Sequence, residues 1–449
     1  MSFELLQKYD VAVPRYTSYP PVPAWAIPVM DESLWKAEII DSYDGEKGLS
    51  LYIHLPYCEQ LCTYCGCNKR ITINHNVEMP YIHTVLKEWN SYIKIFGNRI
   101  PKIKELHLGG GTPTFFDPQN LKILIDGIFE NAVRADDAAL SFEAHPNSTT
   151  ADHLEVLYNL GFRRISIGVQ DLSPKIMKAI NRNQTVEEIT FVTNYARILG
   201  YDSVNYDLIY GLPFQTMDDI RVTMDYLAEM LPDRIAFYSY AHVPWKSAGQ
   251  RAFEDQDVPQ GFEKYQLKKY GTERLNSLGY QSIGMDHFAL ETDSLYQNFK
   301  AGLMHRNFMG YTDKKTSLLI GLGASSISET PTMYVQNEKH IEDYTTAIDK
   351  SGFALTKGHQ LTRTQQNIRT HILRLMCTYQ TEWSASMEDQ IIKDICVDSM
   401  QELIQDQLVV LEENKLAITE KGKDFIRNIC AGIDFEFARP TQKVYSSAI

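Results

Sequence analysis

The sequence predicts an α/β protein built on a partial (β/α)6 barrel. Between about residues 50 and 240, six short apolar stretches alternate with stretches of helical periodicity, a pattern that favours a parallel sheet. Polar residues or glycines follow these apolar stretches all along the series. A barrel gathers such positions on one rim, whereas a doubly wound sheet concentrates them at one switch point. We therefore expect a barrel whose site lies at the carboxyl ends of its strands.

The predicted elements of the barrel follow one another closely. The helices, chosen by their 3.6-residue apolar period, are Tyr81–Phe96, Pro118–Glu130, Val186–Leu199 and Asp218–Met230. The strands are Ser50–Leu55, Glu105–Leu108, Leu140–Ala144, Arg164–Val169, Ser203–Ile209 and Arg234–Tyr240.

Two further regions flank the barrel. Residues 1–45 are predicted to form an N-terminal arm; its stretch PRYTSYP (residues 14–20) has a proline at each end, which favours an extended chain. Taken alone, this stretch indicates a surface arm that packs on the barrel. Residues 46–350 hold the barrel and a less regular extension. Residues 351–449 are predicted to form a mainly helical C-terminal domain, with helices at Gln365–Met376, Ser386–Gln405 and Glu420–Ile429.

Composition excludes several classes of function. The 449 residues are 44% hydrophobic and 22% charged, as in an ordinary globular protein. A net charge of −13 argues against a nucleic-acid partner. The sequence has no apolar run long enough to cross a bilayer, and Met1 to Asp10 do not form a signal peptide. We therefore expect a cytoplasmic protein with no membrane partner.

Four of the seven cysteines lie in one loop directly after the first predicted strand. Three have the spacing C-x3-C-x2-C, and the fourth follows two residues later. A structural zinc site usually draws on two separated cysteine pairs, and a disulfide framework needs denser cysteines. The spacing therefore favours a [4Fe–4S] cluster held by three thiolates, with one iron open. The loop cysteines are Cys58, Cys62, Cys65 and Cys67.

Other candidate residues lie just past predicted strands. The glycine run at residues 109–111 allows a backbone to approach a ligand closely, although such runs are more often tight turns. Glu143 could accept hydrogen bonds from an ammonium group or from hydroxyls; alternatively it is a solvated strand end. Asp207 is flanked by apolar residues and needs a partner if buried. Arg182 could hold a carboxylate, or could be a surface charge.

With these motifs assembled, the chain resembles the radical S-adenosylmethionine (SAM) superfamily and, within it, the oxygen-independent coproporphyrinogen III oxidase family. The cysteine spacing and the segment GGTP (residues 110–113) carry the wider resemblance. The narrower one extends along nearly the whole chain. It rests on PRYTSYP, on CEQLCTYCGCNK (58–69), GVQD (168–171) and DLIYGLP (207–213), and above all on HRNFMGYT (305–312).

The resemblance implies a role for each of these residues. Cys67 is not expected to bind the cluster, and Tyr64 stands where phenylalanine is typical of the family. His145-Pro146 replaces the commoner Asp/Asn-Pro. The resemblance further implies that the arm of residues 1–45 covers the active site. The implied cluster ligands are Cys58, Cys62 and Cys65, and the implied catalytic residues are Tyr52, His54 and Arg15, the last by holding a propionate. A first SAM would contact Tyr52, Gly110, Glu143 and Ile327. A second SAM would contact Tyr64, Gly111, Thr112, Gln170, Arg182, Asp207 and Ala241.

The implied activity is the oxidative decarboxylation of two propionates of coproporphyrinogen III to vinyl groups, giving protoporphyrinogen IX by a 5′-deoxyadenosyl radical mechanism. The resemblance also implies a monomer that receives electrons from a low-potential donor such as flavodoxin or ferredoxin. Two alternatives are a haem-degrading or methylating radical SAM relative and a haem chaperone without decarboxylase activity. The arm and Gly66-Cys67 argue against both.

Overall fold

The computed structural model describes residues 3–26, 30–245 and 247–436. Parts of the predicted arm and of the predicted C-terminal domain therefore lie outside the described residues. Within the described ranges, no helix combines the length and the apolar character needed to cross a membrane. The first helices are α1 (Phe3–Tyr9) and α2 (Glu32–Ser42).

Every predicted barrel strand and helix is present, most of them one to seven residues longer than predicted. Helix α3 shows why these segments fold as they do, since its apolar residues recur at three- and four-residue intervals and bury one face that includes Trp89 and Tyr92. The elements in order are β1 (Leu49–Leu55), β2 (Tyr57–Cys58), β3 (Arg70–Ile71), α3 (Glu78–Phe96), β4 (Lys102–Gly110), α4 (Pro118–Phe129), β5 (Val133–Ala144), α5 (Ala151–Asn159), β6 (Arg164–Gln170), α6 (Pro174–Ala179), α7 (Val186–Leu199), β7 (Ser203–Tyr210), α8 (Met217–Met230) and β8 (Arg234–Ser239).

The extension after the barrel adds short strands and three helices. They are α9 (Gly261–Ser277), β9 (Gln281–Ile283), β10 (His287–Ala289), α10 (Ser294–Lys300), β11 (His305–Asn307), β12 (Gly310–Thr312), β13 (Leu318–Leu322), β14 (Ile327–Glu329), β15 (Met333–Asn337), α11 (Ile341–Ser351) and β16 (Leu355–Gln360).

The central sheet confirms the partial barrel. Strands β1, β4, β5, β6, β7 and β8 lie side by side in chain order and run parallel. This order has no reversal point, so their carboxyl ends share one rim. The sheet stays open, because β10 pairs antiparallel with the outer edge of β8.

A seventh parallel strand, β13, pairs with β1 and was not predicted. Its sequence, LLIGL, is apolar except for Gly321, which interrupts the run. The glycine is required there, since a Cβ at this position would lie 2.5 Å from the backbone oxygen of Ile327. The (β/α)6 prediction therefore gives the strand order correctly and omits one strand.

The C-terminal region is mainly helical, with a small three-stranded sheet ordered β17–β19–β18. The predicted helix Ser386–Gln405 is interrupted at Met400, where ψ is 0°. The last helix begins later than predicted, because residues Gly422–Phe425 form a 3-10 turn first. The elements are α12 (Arg363–Thr378), β17 (Gln380–Glu382), α13 (Met387–Ser399), α14 (Gln401–Gln405), β18 (Val409–Glu412), β19 (Lys415–Ile418) and α15 (Ile426–Ile433).

The N-terminal segment is divided between two hydrophobic cores. Helix α2 buries Trp35 and Ile39 in the core of the barrel. Helix α1 and the tyrosines of PRYTSYP instead share a core with helices α12 to α15. The first and last parts of the chain are thus packed together beside the barrel. The boundaries at residues 45 and 350 remain predictions.

Candidate active site

A cavity of about 630 Å3 opens at the carboxyl ends of the barrel strands. Eleven of the sequence-predicted site residues line it; they come from the cysteine loop, from strands β4 to β7, from the loop after β4 and from the loop before α7. They are Cys58, Cys62, Tyr64, Cys65, Gly110, Gly111, Thr112, Glu143, Gln170, Arg182 and Asp207.

The cysteine loop lies on one wall of this cavity, and all seven cysteines are free thiols. Burial raises the pKa of Cys58 to about 11. A hydrogen bond with Cys67 lowers the pKa of Cys65 to about 6. The Sγ of Cys58 accepts a hydrogen bond from Thr112 Oγ1 at 3.3 Å, and the Sγ of Cys62 lies 3.5 Å from Arg182 Nη1.

These thiols fit an iron–sulfur cluster better than a single ion. Among the described residues, no three His, Cys, Asp or Glu side chains converge closely enough to hold one metal ion. In a [4Fe–4S] cluster each thiolate binds a different iron, so the sulfurs stand apart around a shared space. Three cysteines facing one cavity supply that arrangement.

The glycine run brings the backbone to the cavity. Gly110 has a φ of 115° in the left-handed region, and a Cβ there would lie 2.5 Å from the His54 ring. A Cβ on Gly111 would lie 2.6 Å from the backbone of Pro56. Only glycine therefore allows this strand to follow β1 so closely and to expose its peptide groups to a ligand.

Two carboxylates from different strands face the same cavity. Glu143 accepts a hydrogen bond from the Gly110 N–H at 3.1 Å, and its other oxygen lies 3.6 Å from His107 Nε2. Burial opposes ionisation of Glu143, but His107 and the Gly110 N–H outweigh it and lower the pKa of this carboxyl. Asp207 accepts from Ser166 at 2.9 Å and from Asn205 at 3.0 Å. Burial, followed by the charge of Glu143, raises the pKa of Asp207 to about 6.

Arg182 is a buried cation beside the cysteine loop, not a surface charge. It donates to the Tyr64 hydroxyl at 3.2 Å, to Gln184 at 2.7 Å and to the Gly168 carbonyl. Burial lowers its pKa, but Tyr64 and Cys62 more than offset this, and the pKa of Arg182 is raised. Gln170 lies nearby with a φ of 67°, a strained conformation that is found mostly at functional sites.

Tyr52 and His54 lie just behind the cavity wall on β1. The Tyr52 hydroxyl lies 3.1 Å from His54 Nδ1, and His54 Nε2 lies 2.9 Å from the Asn68 carbonyl. Since a carbonyl only accepts, Nε2 carries the proton and Nδ1 accepts from Tyr52. Burial lowers the pKa of His54, which keeps the ring neutral. The pair ties β1 to the end of the cysteine loop.

Besides Tyr52 and His54, three predicted residues are not part of the cavity lining. Arg15 forms an ion pair with Asp286 and lies over the Tyr238 ring, 5.3 Å from its centroid. Ala241 follows β8. Ile327 begins β14 behind Gly321, which is the residue paired with Tyr52.

Several residues that lie in the cavity or directly behind it were not predicted from the sequence. Ser166 and Tyr238 line the main cavity, and His107 contacts Glu143 from behind it. His107 and Ser166 interrupt the apolar sequences of β4 and β6. In each strand the residues on either side point away from the barrel interior. That alternation was the available signal, because a polar residue on the inward face of a barrel strand needs a partner inside.

The fold and the site together define a radical SAM protein. The family model described as "Radical SAM superfamily" matches residues 52–227 of this chain. Curated proteins named oxygen-independent coproporphyrinogen III oxidase are similar along nearly the whole chain. The one from Escherichia coli (strain K12) is 36% identical over 437 residues, covering 96% of this chain and 94% of that one. The one from Synechocystis sp. is 34% identical over 460 residues, covering 100% and 98%.

A solved structure agrees with these sequence relatives. That structure, described as "Coproporphyrinogen III oxidase (HemN) from Escherichia coli is a Radical SAM enzyme", has a TM-score of 0.90, 34% sequence identity, and coverage of 97% of this chain and 98% of that one. The chain belongs to the oxygen-independent coproporphyrinogen III oxidase family.

Proposed function

We propose that this protein converts coproporphyrinogen III to protoporphyrinogen IX in anaerobic haem biosynthesis, by oxidative decarboxylation of two propionate side chains. The observation that carries the proposal is the membership of nearly the whole chain in a family named for this substrate. The cavity adds support, since its lining combines four thiols, a glycine backbone, two carboxylates and a buried arginine.

The proposed cofactors are one [4Fe–4S] cluster and two molecules of SAM. Cys58, Cys62 and Cys65 would hold the cluster, and Cys67 would stay unbound. When bound, the cluster and SAM supply the reducing electron and the hydrogen-abstracting radical that the decarboxylation requires.

The residues of this chain then bind and orient. For the first SAM we propose Tyr52, Gly110, Glu143 and Ile327. The role of Glu143 as acceptor is supported by its lowered pKa, which keeps it ionised. Gly110 lines the cavity, and the absence of a Cβ allows a ligand to approach its backbone closely. His54 is proposed to hold Tyr52 and the end of the cysteine loop in place, supported by its two hydrogen bonds.

For the second SAM we propose a set on the other side of the cavity. Asp207 and Arg182 would meet the charged groups of the ligand, since an arginine fork matches a carboxylate. Burial of both side chains at one cavity supports this assignment. The full proposed set is Tyr64, Gly111, Thr112, Gln170, Arg182, Asp207 and Ala241.

The arm of residues 1–45 is proposed to cover the site and help to exclude water from it, with Arg15 near a substrate propionate. The position of Arg15 over Tyr238 supports this, because Tyr238 lines the cavity. A low-potential protein such as flavodoxin or ferredoxin is the proposed electron donor. We propose a monomer that works in the cytoplasm without nucleic acid or membrane.

Anaerobic turnover tests the proposal. Cluster-loaded protein would be incubated with SAM, a reductant and coproporphyrinogen III, and products separated by chromatography. Protoporphyrinogen IX together with two 5′-deoxyadenosines per product is the expected result. Haem binding with SAM left uncleaved would contradict the proposal and favour the chaperone alternative, and cleavage of added haem would favour the degrading relative.

A further inference from the structure

Arg306, on strand β11, is a buried arginine without an anionic partner. Only 5% of it is exposed, and its Nε has no hydrogen-bond partner. Across the described ranges, no carboxylate forms an ion pair with it. Its guanidinium instead lies over the Tyr311 ring, with Cζ 4.5 Å from the centroid. A cation–π contact offsets only part of the cost of removing the charge from water.

Two other largely buried arginines, Arg234 and Arg369, do have carboxylate partners. Arg234 Nε lies 2.7 Å from Asp293 Oδ1. Arg369 forms an ion pair with Glu329. Since buried charges are normally paired, an unpaired one that persists indicates a partner supplied from outside the chain.

The groups around Arg306 border the site. A second cavity, of about 160 Å3, is lined in part by Tyr311, His287 and Tyr238. The ring centroids of His287 and Tyr311 are 5.1 Å apart. Four of its lining residues (Glu143, Ser166, Asp207 and Tyr238) also line the main cavity.

Burial lowers the pKa of His287 to about 3, so the ring is neutral and adds no charge of its own. Arg15 already faces Asp286.

Arg164 and Arg234, which line this cavity, lie 3.7 Å from Asp313 and 2.7 Å from Asp293, respectively. Among the described residues, no carboxylate is paired in this way with Arg306, which therefore has capacity for an anion.

We propose that Arg306 binds one propionate carboxylate of the substrate. This assignment rests on the proposed function and extends it to a specific contact. The guanidinium presents a fork of N–H donors that fits a carboxylate in a bidentate way. The aromatic wall of Tyr238 and Tyr311 suits the flat apolar body that carries the carboxylate. The segment HRNFMGYT thereby gains a function for its second residue.

Binding of a stable probe tests the assignment. Coproporphyrin III, which keeps the four carboxylates and survives in air, would be titrated into wild type, Arg306→Met and Arg306→Lys with fluorescence detection. We expect Arg306→Met to weaken binding by about 10- to 100-fold, because a charged hydrogen-bonded contact is lost. Arg306→Lys should weaken it less. Arg363→Met is the matched control, since the Arg363 side chain is 77% exposed, and it should bind like wild type.

Two further measurements separate binding from structure. The tetramethyl ester of coproporphyrin III lacks carboxylates, so it should bind wild type and Arg306→Met equally. Without ligand, Arg306→Met should unfold at the same or a higher temperature, because it removes an unpaired buried charge.

Unchanged tetra-acid binding by Arg306→Met would overturn the assignment, and so would failure of wild type to bind the probe. Equal losses for acid and ester, together with a lower unfolding temperature, would also overturn it. A wild type that binds the acid through Arg306 but yields no vinyl product would contradict the proposed function alone.

Discussion

Cys67 provides a built-in control for the cluster ligands, since it lies on the same wall as Cys62 and differs in its predicted role. We predict that Cys62→Ala removes the visible absorbance of the reconstituted cluster, because one of three thiolates is lost. Cys67→Ala should keep that absorbance. Spectra of both variants after anaerobic reconstitution decide this; an unaltered spectrum for Cys62→Ala would contradict the ligand assignment.

Asp207 should make stability depend on pH. Its pKa in the folded protein is about 6, against about 4 in an unfolded chain. The folded state therefore holds a proton more tightly, and stability falls as pH rises from about 4 to about 6. Asp207→Asn should remove this loss, and we expect it to gain about 1–3 kcal/mol over wild type at pH 7.5.

Thermal unfolding at pH 4 and at pH 7.5 checks this prediction. At pH 4 the two proteins should differ much less in unfolding temperature, because Asp207 is then protonated in the folded state and about half protonated in the unfolded chain. A lower unfolding temperature for Asp207→Asn at pH 7.5 would show that the carboxylate is stabilised in the fold. We also expect Asp207→Ala to impair turnover while the cluster spectrum is kept.

At the scale of single residues, the sequence was informative where the local pattern around a residue indicated its role. Glu143 and Asp207 were found because they end apolar strands, a position visible in a single stretch of chain. His107 was missed because its importance comes from Glu143 on the neighbouring strand. Arg306 looked like any polar residue of a motif, since only the fold reveals that no carboxylate faces it.

One buried carboxylate, that of Glu88, joins helix α3 to the loop after β13 through hydrogen bonds. Glu88 accepts hydrogen bonds from the Gly323 N–H at 2.9 Å, from Asn337 at 2.6 Å and from the Tyr344 hydroxyl at 2.6 Å. Tyr81 completes the junction by donating to the His54 carbonyl at 2.9 Å. This element therefore links the core of the barrel to β1 behind the site.

We predict that Glu88→Ala lowers the free energy of unfolding by about 3–5 kcal/mol, since three buried donors lose their acceptor and a cavity remains. Chemical denaturation measures it. Lys87→Ala on the same helix is the control, because Lys87 is half exposed, and it should change stability by less than about 1 kcal/mol. A loss of similar size in both variants would contradict the role of Glu88.

Helices and strands with a clear hydrophobic period could be predicted from the sequence. Elements that depend on tertiary contacts could not. Strands such as β6 and β7 place buried apolar residues at every second position, a period that the sequence shows. Strand β13 lacks that signal because Gly321 is selected by the approach of Ile327, a contact that no local pattern reveals. The break at Met400 is likewise set by packing, since this side chain is buried against Gly432.

At the scale of the molecule, the arm is anchored to the C-terminal region. The hydroxyls of Tyr16 and Tyr19 lie 3.0 Å and 3.2 Å from the carboxylate of Asp434, which is 1% exposed. Arg427 donates to the carbonyls of Val13 and Pro14. The arm thus reaches the barrel mouth while most of its own packing is with helices α12 to α15.

We predict that Asp434→Ala loosens the arm, because two buried hydroxyls lose their acceptor. Amide hydrogen exchange in residues 9–19 should become at least about tenfold faster, which corresponds to about 1.4 kcal/mol. Asp434→Asn keeps one acceptor oxygen and should have a smaller effect. Turnover measured on the same samples tests the proposed cover: if exchange rises and turnover is unchanged, the arm does not cover the site.

The anchoring of the arm also has a consequence for how the protein is made. Tyr16 and Asp434 are 418 residues apart, so their contact forms only after almost the entire chain has left the ribosome. At about 5–20 residues per second, the barrel is complete for several seconds to a minute before the arm can dock. During that interval the mouth beside Tyr238 lacks the proposed cover. Assembly of the cofactor site can therefore precede closure in each newly made molecule, without any displacement of the arm.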